Sequence, residues 1–270
     1  MNNNFKTITP FLKWAGGKRW FVSGFNDLIP RNFDRYIEPF LGGGAVFFHL
    51  QPKVALLGDS NRELIETYSA IRNSWRNVLR YLHIHHRRHS RDYYYKIREK
   101  IPKTKAERAA RFIYLNRTCW NGLYRVNLQG EFNVPIGSKM DVLYAEDDFR
   151  AISKLLKNVD LFSCDFEDLV DDARGGDLVF VDPPYTVRHN KNAFIKYNEK
   201  LFSWWDQERL YYAVKRAKKR GAKIIGTNAF HHSVKSLYKG EFELKRLSRA
   251  SSISSKNESR ARYDELLILG

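Results

Sequence analysis

Three stretches of the sequence predict an α/β fold in which buried parallel strands alternate with helices and a helical insertion breaks the alternation. Leu178-Val-Phe-Val181 is a continuous apolar, β-branched and aromatic run, bounded by Gly175-Gly176 before it and Pro183-Pro184 after it. A run this short and this apolar reads as a strand covered on both faces of a parallel sheet. Tyr36-Ile-Glu-Pro-Phe-Leu-Gly-Gly-Gly-Ala-Val-Phe-Phe48 reads as strand, glycine turn and helix. Residues 61–117 look helical throughout, which makes them an insertion in the β–α pattern.

Taken in order, Phe11-Leu-Lys-Trp-Ala-Gly-Gly-Lys18 opens the globular part. Its glycines break regular structure, and a helix follows from Lys18 to about Asp27. After the 36–48 unit, Val54-Ala-Leu-Leu57 forms the next strand and ends at Gly58-Asp59. An acid 17 positions after Gly42 lies near the ~20 expected of a ribose-binding carboxylate in a Rossmann-like unit. Phe47 stands where the dinucleotide fingerprint G-x-G-x-x-G needs its last glycine. A nucleoside cofactor without a pyrophosphate therefore fits better than a dinucleotide.

Within the insertion, Thr104-Lys-Ala-Glu107 is a capping box ahead of Ala109, Phe112 and Ile113. Asn121-Gly-Leu-Tyr-Arg125 and Glu131-Phe-Asn-Val-Pro135 predict a hairpin over roughly 123–134, with Trp120, Tyr124 and Arg125 as candidate base contacts. The α/β pattern then resumes: a helix over 146–158, a strand over Val159–Ser163 and the strand at 178–181. Ser203 caps a helix that ends at Gly221, and Lys223–Asn228 is another strand. Strands near 241–246 and 263–269 flank Ser248–Arg262, a Ser/Arg-rich segment with little to pack, expected to stay mobile until its partner binds.

The chain of 270 residues carries 43% hydrophobic residues, enough for a real core, and a net charge of +17. So basic a chain points to a polyanion, most simply nucleic acid. An acidic membrane surface has no basic amphipathic helix or lipidation signal to support it. Residues 62–125 are net +11, residues 126–185 net −8 and residues 186–262 net +13. Two one-sided basic blocks thus flank an acidic one, as two walls of a groove for phosphates would. Cys119 and Cys164 form no CxxC pair, the histidines lack metal-ligand spacing, and no metal is expected. His85-His86 and His231-His232 read as solvated or phosphate-facing. With no apolar leader and no run near 18 apolar residues, the expectation is a cytosolic protein of a reducing compartment.

The acidic block ends in Asp182-Pro183-Pro184-Tyr185. A proline holds the residue before it extended, so the Asp182 backbone is fixed. The prolines lack N–H groups and leave bare carbonyl acceptors at the mouth of the sheet. With an ionised, acceptor-only carboxylate and an aromatic ring beside it, the tetrapeptide suits a flat substrate bearing an amino group. The plainer alternative is a strand that ends in a Pro-Pro turn, with Tyr185 as a half-buried ring.

A glycine turn, a downstream acid, a basic insertion and Asp-Pro-Pro-Tyr, in that order, resemble the Dam-type (D12 class) DNA adenine-N6 methyltransferases. The likeness covers nearly the whole chain. It rests on Leu12–Lys18, Glu38–Gly44, Asp59, Asn121–Arg125 with Phe132–Pro135, and Asp182–Tyr185, with Asp264–Leu269 at the end. The resemblance implies a Rossmann-like S-adenosylmethionine-dependent fold. It implies a catalytic domain of residues 1–60 and 146–270 and a target-recognition domain of residues 61–145. Trp14, Lys18, Glu38, Phe40, Gly42 and Gly44 would shape the cofactor pocket. Asp59 would hold the ribose, Asp165 and Phe166 the cofactor's adenine, and Asp182 would border both cofactor and substrate. Asp182, Pro183, Pro184 and Tyr185 would act on an adenine flipped out of double-stranded DNA. Arg125 would read a guanine, with Trp120, Asn121, Leu123, Asn127 and Pro135 beside it, and the implied target is GATC. Trp120 departs from the tyrosine usual in close relatives, and related hairpins read other sites. No obligate protein partner is implied, and the expected setting is the cytoplasm of a bacterial or phage-infected cell. The alternatives are transfer to another planar amine, cytosine N4 or an RNA adenine, and a non-catalytic DNA-binding relative.

Overall fold

The computed structural model describes residues 8–127, 130–187, 202–250 and 262–270. Most of the Ser/Arg-rich segment, 251–261, therefore lies outside the described residues. The chain divides into two compact units: Met1–Gly24, Leu41–Lys53 and Asp59–Ser163 form one, and Phe25–Phe40, Val54–Gly58 and Cys164–Gly270 the other.

The second unit is built on β1 (Tyr36–Glu38), β2 (Ala55–Gly58), β4 (Leu178–Val181), β5 (Lys223–Ala229), β6 (Glu243–Ala250) and β7 (Arg262–Leu269). Their order in the sheet is β2-β1-β4-β5-β7-β6, while β3 (Val159–Phe162) belongs to the first unit. β1 pairs in parallel with β2 and β4, and β4 with β5, whereas β7 runs antiparallel to both β5 and β6. The predicted apolar runs became these strands because every residue of β1, β2 and β4 is buried. The chain order reverses between β1 and β4, so their carboxyl ends form the topological switch point where open α/β sheets take ligands.

Helices α7 (Phe166–Asp171), α8 (Trp204–Lys219) and α9 (His232–Tyr238) belong to the same unit. Phe166, Leu169 and Val170 of α7 and Leu210, Ala213, Val214 and Ala217 of α8 join Val179, Val181, Ile224 and Ile268 of the sheet in one core. Ser203 starts α8 with a capping box: its hydroxyl accepts from the Asp206 N–H at 3.2 Å, and the Asp206 carboxylate accepts from the Ser203 N–H at 2.8 Å. Sequence patterning gave α8 but neither α7 nor α9, whose lengths of 6 and 7 residues are too short for a period to emerge.

The first unit holds α1 (Arg19–Gly24), α2 (Ala45–Leu50), α3 (Arg62–Arg88), α4 (Arg91–Glu99), α5 (Lys105–Thr118) and α6 (Phe149–Leu155), together with β3. α1 stops at Gly24, short of the predicted Asp27, and a single 3-10 turn over Asn26–Leu28 takes up the remainder. α6 starts only at Phe149, where the Asp148 side chain caps it, rather than at 146. Asn61 caps α3 by accepting from Leu64 N at 3.1 Å, and the predicted Thr104/Glu107 box caps α5. Arg117 at the end of α5 is fully buried. Its guanidinium meets the Asp147 carboxylate at 2.6 and 2.7 Å and donates to the Phe11 and Val142 carbonyls, joining three segments. Among the described residues, no helix is long and apolar enough to cross a membrane.

Two histidine readings are corrected. His85 is 9% exposed, not solvated: its ring stacks on Tyr114 at 4.8 Å, and Nδ1 lies 2.9 Å from the Tyr93 hydroxyl. His231 is half-buried and caps α9 through its ring nitrogen. Burial, helped by the Lys100 charge, pushes the His85 pKa down to about 4. Between pH 6.5 and 4 the unfolded chain therefore binds more protons than the folded one. Stability contributed by neutral His85 is full above about 6.5 and is lost as pH falls towards 4, by about 3 kcal/mol in all. Urea unfolding across this range is expected to show that slope, and His85→Gln to flatten it. An unchanged slope in the variant would refute the assignment.

Candidate active site

In the first unit, the segment after β1 makes a turn that few sequences allow. Gly42 has φ +46° and Gly44 φ +65°, and both are buried. A Cβ on Gly42 would stand 2.6 Å from the Trp14 ring, so the missing side chain is what lets the indole lie on the turn. Trp14 stacks at its other contacts on Tyr124 (5.8 Å, 17°) and Phe112 (6.5 Å, 22°). The Gly42 N–H donates to Asp59 Oδ2 at 3.0 Å, and Asn61 N–H donates to Asp59 Oδ1 at 2.9 Å. Burial pushes the Asp59 pKa up while these two bonds oppose the shift. Each carboxylate oxygen thus accepts one backbone bond, and a carboxylate offers about four acceptor positions, which suits a vicinal diol. Lys18 is buried, its ammonium donating to the Gly16 carbonyl at 2.6 Å.

The recognition segment lies in the same unit. Among the described residues the predicted hairpin is short: Val126 bridges Phe132, Cys119 bridges Ile136 at its base, and residues 128–129 lie outside the described set. Asn127 N–H donates to the Glu131 carbonyl at 2.8 Å and Asn133 N–H to the Arg125 carbonyl at 3.3 Å. Side chains reinforce this ladder: Glu131 N–H donates to Asn127 Oδ1 and Arg125 Nε donates to Asn133 Oδ1 at 3.0 Å. Trp120 is 58% exposed, and its backbone N–H is held by the Pro135 carbonyl. Asn121 adopts φ +55° and is exposed, as is Pro135; Leu123, Arg125 and Asn127 are half-buried. Tyr124, read as an exposed base contact, is instead half-buried against Trp14 and Phe112, and its hydroxyl donates to Glu63.

The second unit carries the carboxylates of the switch point. Glu38, the last residue of β1, is 2% exposed. Asp182 directly follows β4 and accepts from the Thr227 hydroxyl of β5 at 2.8 Å. Pro183 is buried and Pro184 half-buried. Tyr185 donates to Glu265 of β7 at 2.5 Å. Burial, with the Asp182 and Glu265 charges beside it, pushes the Tyr185 pKa well above that of an ordinary phenol, so it stays protonated. Tyr36 is raised likewise by burial and by Glu38 and Asp182.

Phe40 stacks on Phe166 (5.3 Å, 25°) with Phe202 edge-on at 5.6 Å, an aromatic cluster. Asp165 caps α7 by accepting from Glu167 N–H and pairs with Arg209 at 2.7 Å. The Arg209 guanidinium also lies 4.8 Å over the Phe166 ring. An aromatic cluster with an exposed acid beside it suits a planar heterocycle that carries an amino group. Sequence reasoning missed Thr227, Glu265 and Arg209. Among the described residues, no His, Cys, Asp or Glu group is placed to hold a metal ion.

Residues 14–253 match the D12 class N6 adenine-specific DNA methyltransferase family. The type II methyltransferase M1.LlaDCHI of Lactococcus lactis subsp. cremoris is 34% identical over 277 residues, 99% of this chain and 97% of the relative. M.MjaIII, a type II methyltransferase of Methanocaldococcus jannaschii, is 35% identical across 94% of this chain and 95% of its own. The DNA adenine methylase of Haemophilus influenzae is 30% identical, covering 96% and 93%. The chain belongs to the D12 class of N6 adenine-specific DNA methyltransferases, and its substrate is DNA.

Gly42→Ala forces a left-handed residue to carry a Cβ where the indole lies. It is expected to cost about 1–3 kcal/mol, measured as a shift in the urea midpoint with a changed near-ultraviolet tryptophan signal. An unshifted midpoint would mean that the turn relaxes without strain.

Proposed function

We propose that the chain transfers a methyl group from S-adenosylmethionine to N6 of an adenine extruded from duplex DNA, within GATC. The observation that carries this reading is Asp182: a carboxylate at the switch point, held by Thr227 at 2.8 Å and followed by two prolines and a tyrosine. S-adenosylmethionine, when bound, supplies a methyl made electrophilic by its sulfonium. Asp59 would accept the ribose hydroxyls. Trp14, Lys18, Glu38, Phe40, Gly42 and Gly44 would shape the pocket, and Asp165 and Phe166 would meet the cofactor's adenine.

The target base hides its N6 edge in the duplex, and extrusion costs a few kcal/mol. Tyr185 would stack on the extruded ring. Asp182 and the Pro183 carbonyl would accept hydrogen bonds from the N6 amino group. Acceptors placed out of the ring plane draw the nitrogen towards a pyramidal form and release its lone pair from the ring. Asp182 then stabilises the positive charge that develops on N6. The work is positional and electrostatic. Residues 61–145 would read the site, with Arg125 on a guanine beside Trp120, Asn121, Leu123, Asn127 and Pro135. Exposed arginines and lysines of α3 and α4 would meet the phosphates.

Asp182→Ala is expected to keep cofactor binding, followed calorimetrically, and to lose methyl transfer by about 10²–10³-fold or more. Wild-type transfer to duplex DNA in a labelled-methyl assay would end the proposal, and preferred transfer to RNA or to cytosine would redirect it. Arg125→Ala should relax discrimination at one guanine by about 1–3 kcal/mol. Methylation-sensitive digestion reads this directly, and an unaltered site preference would remove Arg125 from recognition.

A further inference from the structure

The Asp182–Tyr185 tetrapeptide is tied at both ends to strands that lie far from it in sequence. Thr227 of β5 is fully buried and gives its hydroxyl proton to Asp182 Oδ1 at 2.8 Å. Glu265 of β7 is 4% exposed and accepts a hydrogen bond from the Tyr185 hydroxyl at 2.5 Å. The two strands run antiparallel, with Thr227 opposite Leu267 and Ala229 opposite Glu265, so one register delivers both side chains. A carboxyl is an expensive group to bury, and the β7 residues beyond it, Leu266, Leu267 and Ile268, are buried and apolar. An apolar residue at 265 would serve packing better.

We propose that Thr227 and Glu265 are positioning residues for methyl transfer: Thr227 fixes the rotamer of Asp182, and Glu265 fixes the plane of the Tyr185 ring from its far end. This rests on the reading of Asp182 and Tyr185 given above. A phenol has one proton to donate. Committed to Glu265, it is not available to Asp182, and the ring is anchored at its tip as well as through its backbone. Thr227 correspondingly decides which way the carboxylate of Asp182 faces. The raised pKa of Tyr185 agrees with this placement, since burial and the carboxylates on both sides hold the phenol neutral.

The test uses the full chain and steady-state transfer of labelled methyl to duplex DNA, with thermal unfolding in parallel. Glu265→Leu and Thr227→Val are each expected to lower kcat by about 10–100-fold, as a misplacement of roughly 1 Å does. The KM for the methyl donor should change less than about twofold, since neither residue is assigned to that pocket. Glu265→Gln and Thr227→Ser, which keep an acceptor and a donor in place, should retain kcat within about fivefold. Glu265→Leu should unfold at the same temperature as the wild type or higher. In a Tyr185→Phe background, Glu265→Leu should have little further effect, because the contact it removes is already gone. Equal losses with and without the Tyr185→Phe change, or wild-type kcat in the Leu and Val variants, would overturn the proposal. So would a kcat loss that only follows a lowered unfolding temperature; should Glu265→Leu not fold, the Gln variant in both backgrounds decides. Asp182→Ala, run alongside, separates the two levels: an active Asp182→Ala removes the clamp itself. An inactive Asp182→Ala with unaffected Thr227 and Glu265 variants removes the positioning role alone.

Discussion

Val181 is the last residue of β4 with a partner on β5, Gly226, and the next residue, Asp182, precedes a proline. Parallel pairing fixes the position of that strand end, and the proline fixes the backbone direction beyond it. A carboxylate carried there has little freedom left except its own rotamer, and a hydroxyl from the neighbouring strand settles that. The reversal of strand order between β1 and β4 then sets Glu38 and Asp182 at one switch point. Tyr36 senses both carboxylates from the same strand that carries Glu38. Without the parallel β1–β4–β5 core, none of these groups would face a common place.

How much of this the sequence disclosed depends on how far apart the interacting residues lie. β2 and β4 were legible because a buried parallel strand is written as an uninterrupted apolar run, and β1 because a glycine turn and an apolar helix start follow it. The caps of α5 and α8 were legible because a capping box spans four positions. Thr227 and Glu265 were not, since their partners lie 45 and 80 residues away and only register brings them together. His85 and Tyr124 were misread for the same reason: both are polar-tipped rings whose burial depends on aromatic neighbours from other elements, Tyr114 for one and Trp14 for the other. The hairpin was legible from its turn residues, but not the Asn127 and Asn133 side-chain bonds that reinforce its backbone pairing.

The charge pattern gains a finer meaning from the structure. The acidic block and the last basic block meet within one unit, where Arg209 pairs with Asp165 and Glu167, and Arg216 with Glu167 and Asp171. Arg35 does the same for Asp172 and Asp177. The exposed ones among these pairs add little stability, but all of them cancel part of the surplus that the sequence seemed to offer to a polyanion. The exposed cations of α3 and α4, among them Arg76, Arg80, Arg87 and Arg88, have fewer acids near them and keep their field. The first unit, which also holds Arg125, is therefore the more strongly cationic surface.

Buried acids separate structural from chemical roles. Asp177 is 1% exposed, and it is met by the Arg35 guanidinium at 2.6 Å and by the Arg174 N–H, a full ionic answer to its charge. Asp147 is answered in the same way by Arg117. Both pairs close junctions between segments, and removing either partner would strand a charge. Glu265 and Asp182 are held by hydroxyls, from Tyr185 and Thr227. A hydroxyl orients a carboxylate without neutralising it. The role proposed for Asp182, stabilising charge that develops on a substrate nitrogen, needs an acid that is aimed, and the Thr227 hydroxyl is the group that would aim it.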